Sequence, residues 1–192
     1  MPSHARSPQT LATGLVVRPA GEADAELIAS LGARLFAQAY GPTHPEPELG
    51  AYLATAFRPT DLADRIRLGI VAVLLVEADG AGPIGYAQLR PDAPLDIPEW
   101  RGRPAIEIQR FYLDRAWHGR GIADALMASC VALAGRAGAA LAWLQVWQEA
   151  HWAIRFYERA GFVIVGSTPF TWGSRVETDW LMARTLSPER PT

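Results

Sequence analysis

Lysine is absent from the 192-residue chain, and all 18 of its basic residues are arginines. A Schiff-base lysine and a phosphate-binding P-loop lysine are therefore excluded. Cysteine occurs once, at Cys130, which rules out an internal disulfide and fits a reduced, cytoplasmic setting. The four histidines (His4, His44, His118 and His151) are scattered, with no HxxxH pair and no Cys/His cluster, so no metal is expected. No long apolar run is present either. Ile70 to Val76 is the longest, and it has strand length, far below the roughly 18–20 residues that cross a membrane. A formal charge of −2 supplies no basic excess for nucleic acid. Met1 to Ala12 lacks the apolar stretch of a signal peptide and reads as a tail.

What the chain does have is ordinary globular composition, 49% apolar and 20% charged, enough for a core of its own. The 33 alanines beside lysine-free basic residues read as the mark of GC-rich coding. Repeats, low-complexity blocks and domain linkers are not found. The expected organisation is a tail over 1–13, a single domain over 14–187 and a second tail over 188–192. Leu15 to Arg18 reads as a strand, and Ala20 to Tyr40 and Glu46 to Phe57 carry helical spacing, with one or two further turns over Asp61 to Leu68. Ile70 to Glu77 and Ile84 to Arg90 form a hairpin about Asp79–Gly82. Pro91 to Pro104, with four prolines, reads as a surface excursion without a core of its own. Strands then follow at Ala105–Leu113, Ala139–Trp147, Phe162–Val165 and Val176–Thr185, with helices over His118–Ala137 and Ala150–Ala160. Hairpins first and crossovers later predict an α/β chain, a mixed sheet with helices on both faces.

The sharpest local feature is His118-Gly119-Arg120-Gly121-Ile122-Ala123, set between a strand and a helix start. Two glycines permit a tight turn, and the first amides of the helix then face outward at its positive end. Such a loop suits a pyrophosphate. It lacks the third glycine of the dinucleotide fingerprint, because Asp124 stands where that loop continues, and it has no GK[ST]. A purely structural turn is the competing reading. Gly166-Ser167 and Gly173-Ser174 do not build a GxSxG nucleophile elbow, and Cys130 falls on the apolar helix stripe as a packing residue. Trp143 and Trp147 share a strand face with Gln145 and read as core or pocket wall.

Together with Ala105–Leu113 upstream and Phe156–Phe162 downstream, the loop resembles the GNAT superfamily of acyl-CoA N-acyltransferases. Its (Gln/Arg)-x-x-Gly-x-(Gly/Ala) signature is similar to His118–Ala123, with His118 in first position, and its Tyr-x-x-x-Gly-Phe ending to Tyr157–Phe162. The likeness covers Leu15 to Leu186. Within it, Glu107–Leu113, Phe162–Gly166, Phe170, Gly173 and Thr178-Asp179 look like the bacterial spermidine/spermine N-acetyltransferase type, as do Tyr40-Gly41 and Glu48–Leu53. One departure is Ala150, where many relatives carry an asparagine near the pantetheine arm; Trp152 replaces a second common asparagine.

The resemblance implies a GNAT fold and direct acetyl transfer from acetyl-CoA to a primary amine of a small molecule, a polyamine among the candidates. Glu107 is implied as the base that frees the amine, through water, and Tyr157 as the acid that meets the departing thiolate. An exposed strand carboxylate and a core tyrosine are the respective alternatives. Cofactor contacts are implied at Phe111, Tyr112 and Leu113, whose amides would hold the thioester oxyanion, and at His118, Gly119, Arg120, Gly121, Ile122 and Ala123. A polyamine pocket should offer carboxylates, for which Glu46, Glu48 and Asp61 are available. The competing functions are an acyl-CoA-binding regulatory module with little turnover and acetylation of a peptide N-terminus. A homodimer through Val163–Thr185 is expected from the tryptophan-rich hairpin and the family's habit of pairing there.

Overall fold

A computed structural model describes residues 9–12, 14–44, 46–172 and 175–186, the side chains of 9–12, 172 and 175 excepted. In chain order the elements are β1 (Gln9–Ala12), β2 (Leu15–Pro19), α1 (Ala25–Tyr40), α2 (Glu48–Ala56), α3 (Pro59–Arg67), β3 (Ala72–Ala78) and β4 (Gly82–Arg90). After them come β5 (Ala105–Leu113), α4 (Ile122–Arg136), β6 (Leu141–Trp147), α5 (His151–Arg159), β7 (Val163–Trp172) and β8 (Arg175–Thr185). The strands form one mixed sheet in the order β1-β2-β3-β4-β5-β6-β8-β7. β5 runs parallel to β6, whereas β1–β2, β2–β3, β6–β8 and β7–β8 pair antiparallel.

The chain divides into two compact units. One comprises residues up to Gln88 together with Arg110–Leu126, the other Leu89–Gln109 together with Met127 onward. Neither is a continuous stretch, so no linker could mark the division. In the first unit, Ile28, Leu31 and Leu35 of α1 pack on Val73 and Leu75 of β3 and Tyr86 of β4, with Leu62 and Ile66 of α3 at the margin. Val73 to Val76 is buried at every position. A strand covered on both faces must be apolar throughout, which is why this run lacks the alternation of a half-exposed strand.

In the second unit, Leu141, Trp143 and Ala183 form a core with Ala93, Leu95 and Ala105. This corrects the reading of Pro91–Pro104 as an excursion without a core. Ala93 and Leu95 are buried, and the Ala93 carbonyl accepts the Trp143 indole N–H at 2.8 Å. The prolines prevent regular structure, yet the segment closes the sheet face above Trp143. That tryptophan is therefore core.

Other boundaries also differ from the sequence reading, among them the start of α1 at Ala25 rather than Ala20 and of β6 at Leu141 rather than Ala139. Gln9–Ala12, expected in the tail, pairs with β2, because Gly14 at φ +86° turns the chain back on itself. The remainder of that tail (1–8 and 13) and the C-terminal tail over 188–192 lie outside the described residues. Helix α4 starts at Ile122 rather than His118, since Gly119 and Gly121 have φ of +74° and +72°, values a helix cannot contain. Pro59 begins α3 two residues before the expected Asp61, its fixed φ suiting a first helical position. β7 runs on to Trp172 instead of ending at Val165: its register shifts between Ile164 and Gly166, and the strand continues. Gly166 is not a turn. A Cβ there would lie 2.9 Å from Ile97 Cδ1, so glycine makes room for the excursion.

Candidate active site

The glycine loop is held at its entry by charge. Asp114 ends β5 and caps a 3-10 turn over Arg115–Trp117, accepting the Ala116 N–H at 3.1 Å. Arg34 of α1 is ion-paired with the same carboxylate. Gln38, one helical turn on, accepts the Arg115 N–H at 2.9 Å and offers its own carbonyl to the Arg115 guanidinium at 2.8 Å. The Arg34 guanidinium holds the Asp114 carboxyl below its ordinary range, so it stays charged as a brace. Asp114 and its partners were not foreseen as site residues. The legible signal was an aspartate immediately ahead of a short turn, the position of a capping oxygen.

Each residue expected to meet a cofactor has a defined place in this unit. His118 Nε2–H donates to the Leu113 carbonyl at 3.0 Å, so the ring ties the loop to the end of β5. The Arg120 guanidinium lies 4.8 Å above the Trp117 ring and the residue is exposed. Ile122 is buried and anchors the start of α4, while Ala123 is half-buried. Phe111 and Leu113 are half-buried at the end of β5. Tyr112 turns its ring into the core, 5.8 Å from Tyr86 and 6.1 Å from Phe36. What Tyr112 has to offer a ligand is thus its backbone.

Gly119 and Gly121 are exposed, and no protein atom lies within 4 Å of the place where either Cβ would be. The loop is an open cradle. Directly after it, the first amides of α4 have no intrahelical acceptor, as at any helix start, and the helix dipole favours negative charge there. These features fit the pyrophosphate of a CoA-type ligand.

In the second unit, Glu107 lies on β5 opposite Trp143 of β6, and its side chain is only 7% exposed. It is not an exposed strand carboxylate. Arg90, at the end of β4, places Nε 2.8 Å from Glu107 Oε2, a charge contact too poorly aligned to count as a hydrogen bond. Arg90 is a neighbour of Glu107 that the sequence did not single out. Its signal was the polar pair Gln88 and Arg90 inside an otherwise apolar strand. The parallel ladder of β5 with β6 spans Ala105–Glu107 against Leu141–Trp143, although β5 continues to Leu113.

Tyr157 is buried on α5, its ring 5.3 Å from Phe156 and 6.1 Å from Phe162. Ala150 occupies the N-cap of that helix with no side-chain cap, and is itself buried, while Trp152 is 54% exposed. An asparagine at 150 would supply the capping oxygen that alanine lacks. Cys130 is fully buried, and burial pushes its thiol well up, which makes it inert packing. Among the described residues no group of His, Cys, Asp and Glu could hold a metal ion, and no helix is long and apolar enough to cross a membrane.

Comparison with known proteins bears on the same residues. An uncharacterized N-acetyltransferase of Mycobacterium tuberculosis is 31% identical over 163 residues, covering 85% of this chain and 98% of the relative. A second, from Lactobacillus delbrueckii subsp. lactis, is 23% identical over 91% of this chain and 99% of its own. Among solved structures, the paia N-acetyltransferase from Thermoplasma acidophilum in complex with coenzyme A superposes with a TM-score of 0.71 at 18% identity, covering 89% of this chain and 98% of that one. The yncA structure from Salmonella typhimurium, a putative acetyltransferase with acetyl-CoA, gives 0.62 at 20% identity, covering 93% and 97%. These two likenesses show a shared fold, a mixed sheet flanked by helices. The sequence profile of the Acetyltransferase (GNAT) family matches residues 26–162, a span that includes Glu107, the glycine loop and Tyr157, and with the mycobacterial relative it places this chain in the GNAT acetyltransferase family.

Proposed function

We propose that the protein transfers the acetyl group of acetyl-CoA to a primary amine of a small molecule. The observation that carries this reading is the open, positive-φ cradle at Gly119 and Gly121 ahead of α4. His118 to Ala123 would hold the pyrophosphate, with backbone amides of Phe111–Leu113 meeting the acyl end. Acetyl-CoA, when bound, supplies an acetyl thioester open to attack by a neutral amine. An alkyl ammonium has a reference pKa of about 10.4, so a proton must first be removed. Glu107 takes it, directly or through one water, while Arg90 steadies one carboxylate oxygen. As the nitrogen–carbon bond forms and the carbon–sulfur bond breaks, the Tyr157 hydroxyl hydrogen-bonds or protonates the departing sulfur, and the second proton shed by the nitrogen restores the phenol or passes to water.

The finer reading, a polyamine acceptor, rests on the resemblance of the first helices and needs carboxylates for the ammonium groups. Glu46 accepts the Gly50 N–H at 3.0 Å, and Asp61 lies 3.8 Å from Arg58, so two of the three candidates already have partners. The buried, uncapped Ala150 favours a second reading, a module that binds acyl-CoA with little turnover. Thiol release from acetyl-CoA across a panel of polyamines, aryl amines, amino sugars and peptide N-termini separates them. Release with at least one small amine is expected. Tight CoA binding without release for any amine would replace the enzyme with the module, and release with peptides alone would move the acceptor.

A further inference from the structure

The first unit holds a cavity of about 290 Å³ bounded by the start of α1, the turn from α2 into α3, and β4. That volume lies near the lower limit of the ~300–1,000 Å³ usual for small-molecule sites. Arg58, Arg65 and Arg110 line it with a single acid, Asp61. Asp61 meets Arg58 in a loose, exposed pair at 3.8 Å, so the lining carries more arginines than acids. Arg110 is fixed in place: one guanidinium nitrogen donates to the Ala56 carbonyl at 2.5 Å, and the group lies 4.0 Å above the Phe57 ring. Guanidinium carries five N–H donors in a planar fork, of which that carbonyl takes one.

The wall contributes a second, independent observation. Tyr86 is 1% exposed, and its hydroxyl oxygen lies beside the Arg110 guanidinium, which can only donate, while the O–H has no aligned acceptor among the described residues. A buried hydroxyl left in that state costs free energy that a ligand acceptor would recover. Burial pushes the phenol up to about 12, so it remains a neutral donor. Its place is built in by Gly32 of α1, where a Cβ would lie 2.5 Å from the Tyr86 oxygen and 2.7 Å from the Phe57 ring. Gln88, buried beside it, adds a neutral amide, and Phe57 and Leu62 make the remaining wall apolar.

We propose that this cavity binds a small organic acid, a carboxylate on an apolar or aromatic body, with the arginines meeting the carboxylate and Tyr86 and Gln88 donating beside it. Planar, two-oxygen anions match the guanidinium fork, and the apolar wall favours them over a bare phosphate. Such a ligand is the chemical opposite of a polycation. Two sources share that chemistry: the carboxylate of an amino-acid-like acceptor, or a separate acid that binds beside the reaction.

Calorimetry with benzoate, its neutral analogue benzamide and the cation benzylamine tests the site whether or not the acyl-transfer reading holds. Benzoate should bind at least about tenfold more tightly than benzamide, and benzylamine should not bind. The double variant Arg58→Gln/Arg65→Gln should lose about tenfold of the benzoate affinity with its melting temperature preserved, and Tyr86→Phe should weaken it several-fold. Equal affinity for benzoate and benzamide, no benzoate binding at millimolar concentration, or binding of inorganic phosphate alone would overturn the assignment. Turnover then names the source. A raised KM for phenylalanine but not phenethylamine in the double variant places the carboxylate on the acceptor. A change in kcat for phenethylamine on adding benzoate, beyond a competitive rise in KM, marks a separate acid.

Discussion

Two side chains carry the predictions that belong to single residues. Tyr157 is packed on α5 and is the acid of the proposed mechanism, and removal of its oxygen separates the two roles. Tyr157→Phe keeps the ring against Phe156 and Phe162, so the melting temperature should change little. The acyl-transfer rate should fall by about 10²–10⁴, the range for a positioned acid, with CoA affinity nearly intact. A tyrosine that only packs would keep its turnover and lose about 1 kcal/mol of stability with any broken hydrogen bond. Asp179 on β8 is a different case. Burial first and the Glu177 charge second push its carboxyl from 3.8 to about 6. Between those values the folded chain keeps a proton that the unfolded chain has released. Stability therefore falls as pH rises across that window and stays lower above it. Asp179→Asn should be more stable than wild type above pH 6, its melting temperature higher by a few degrees, with the two converging near pH 4. Parallel melting curves from pH 4 to 8 would show that the carboxylate is not penalised.

At the scale of elements, the loop and the start of α4 form the proposed pyrophosphate site. Its entry is set by the Arg34–Asp114 pair and Gln38, its turn by Gly119 and Gly121, and its direction by the buried Ile122. Gly121→Val tests it. No protein atom obstructs the new side chain, so the cost to the fold is the positive φ alone, about 1–2 kcal/mol. CoA would meet the branched side chain where a phosphate approaches the backbone. Calorimetry on the folded variant should show affinity lower by an order of magnitude or more. Unchanged affinity would remove the loop from the cofactor site.

Across the whole molecule, the sheet ends on β7, an edge strand whose Val163 and Ile164 are 57% and 44% exposed, with Val176 of β8 at 71%. An unprotected apolar edge of this kind is a template for pairing with another chain. The proposed homodimer through Val163–Thr185 would cover it. Light scattering should then give twice the chain mass, and Val163→Lys/Ile164→Lys should reduce it to one. A wild-type monomer at micromolar concentration would overturn the dimer.

Much of this protein was determined by its sequence because the relevant physics is local. Helical spacing within Ala20–Tyr40, the buried strand after Ile70 and the glycine loop at 119–121 all follow from periodicity and backbone freedom within a few residues. The roles proposed for Glu107 and Tyr157 are legible only through family motifs. Tertiary structure alone decided who meets whom. Strand and helix placement, invisible to spacing, brought Arg90 to Glu107, Arg34 to Asp114 across 80 positions, and Arg110 to the Ala56 carbonyl across 54. The same holds for Ala93 and Leu95, which a proline-rich composition assigned to solvent and Trp143 drew into the core. Local sequence sets the conformation and apolar face of an element. The partner across that face is chosen by register and packing, which only the folded chain defines.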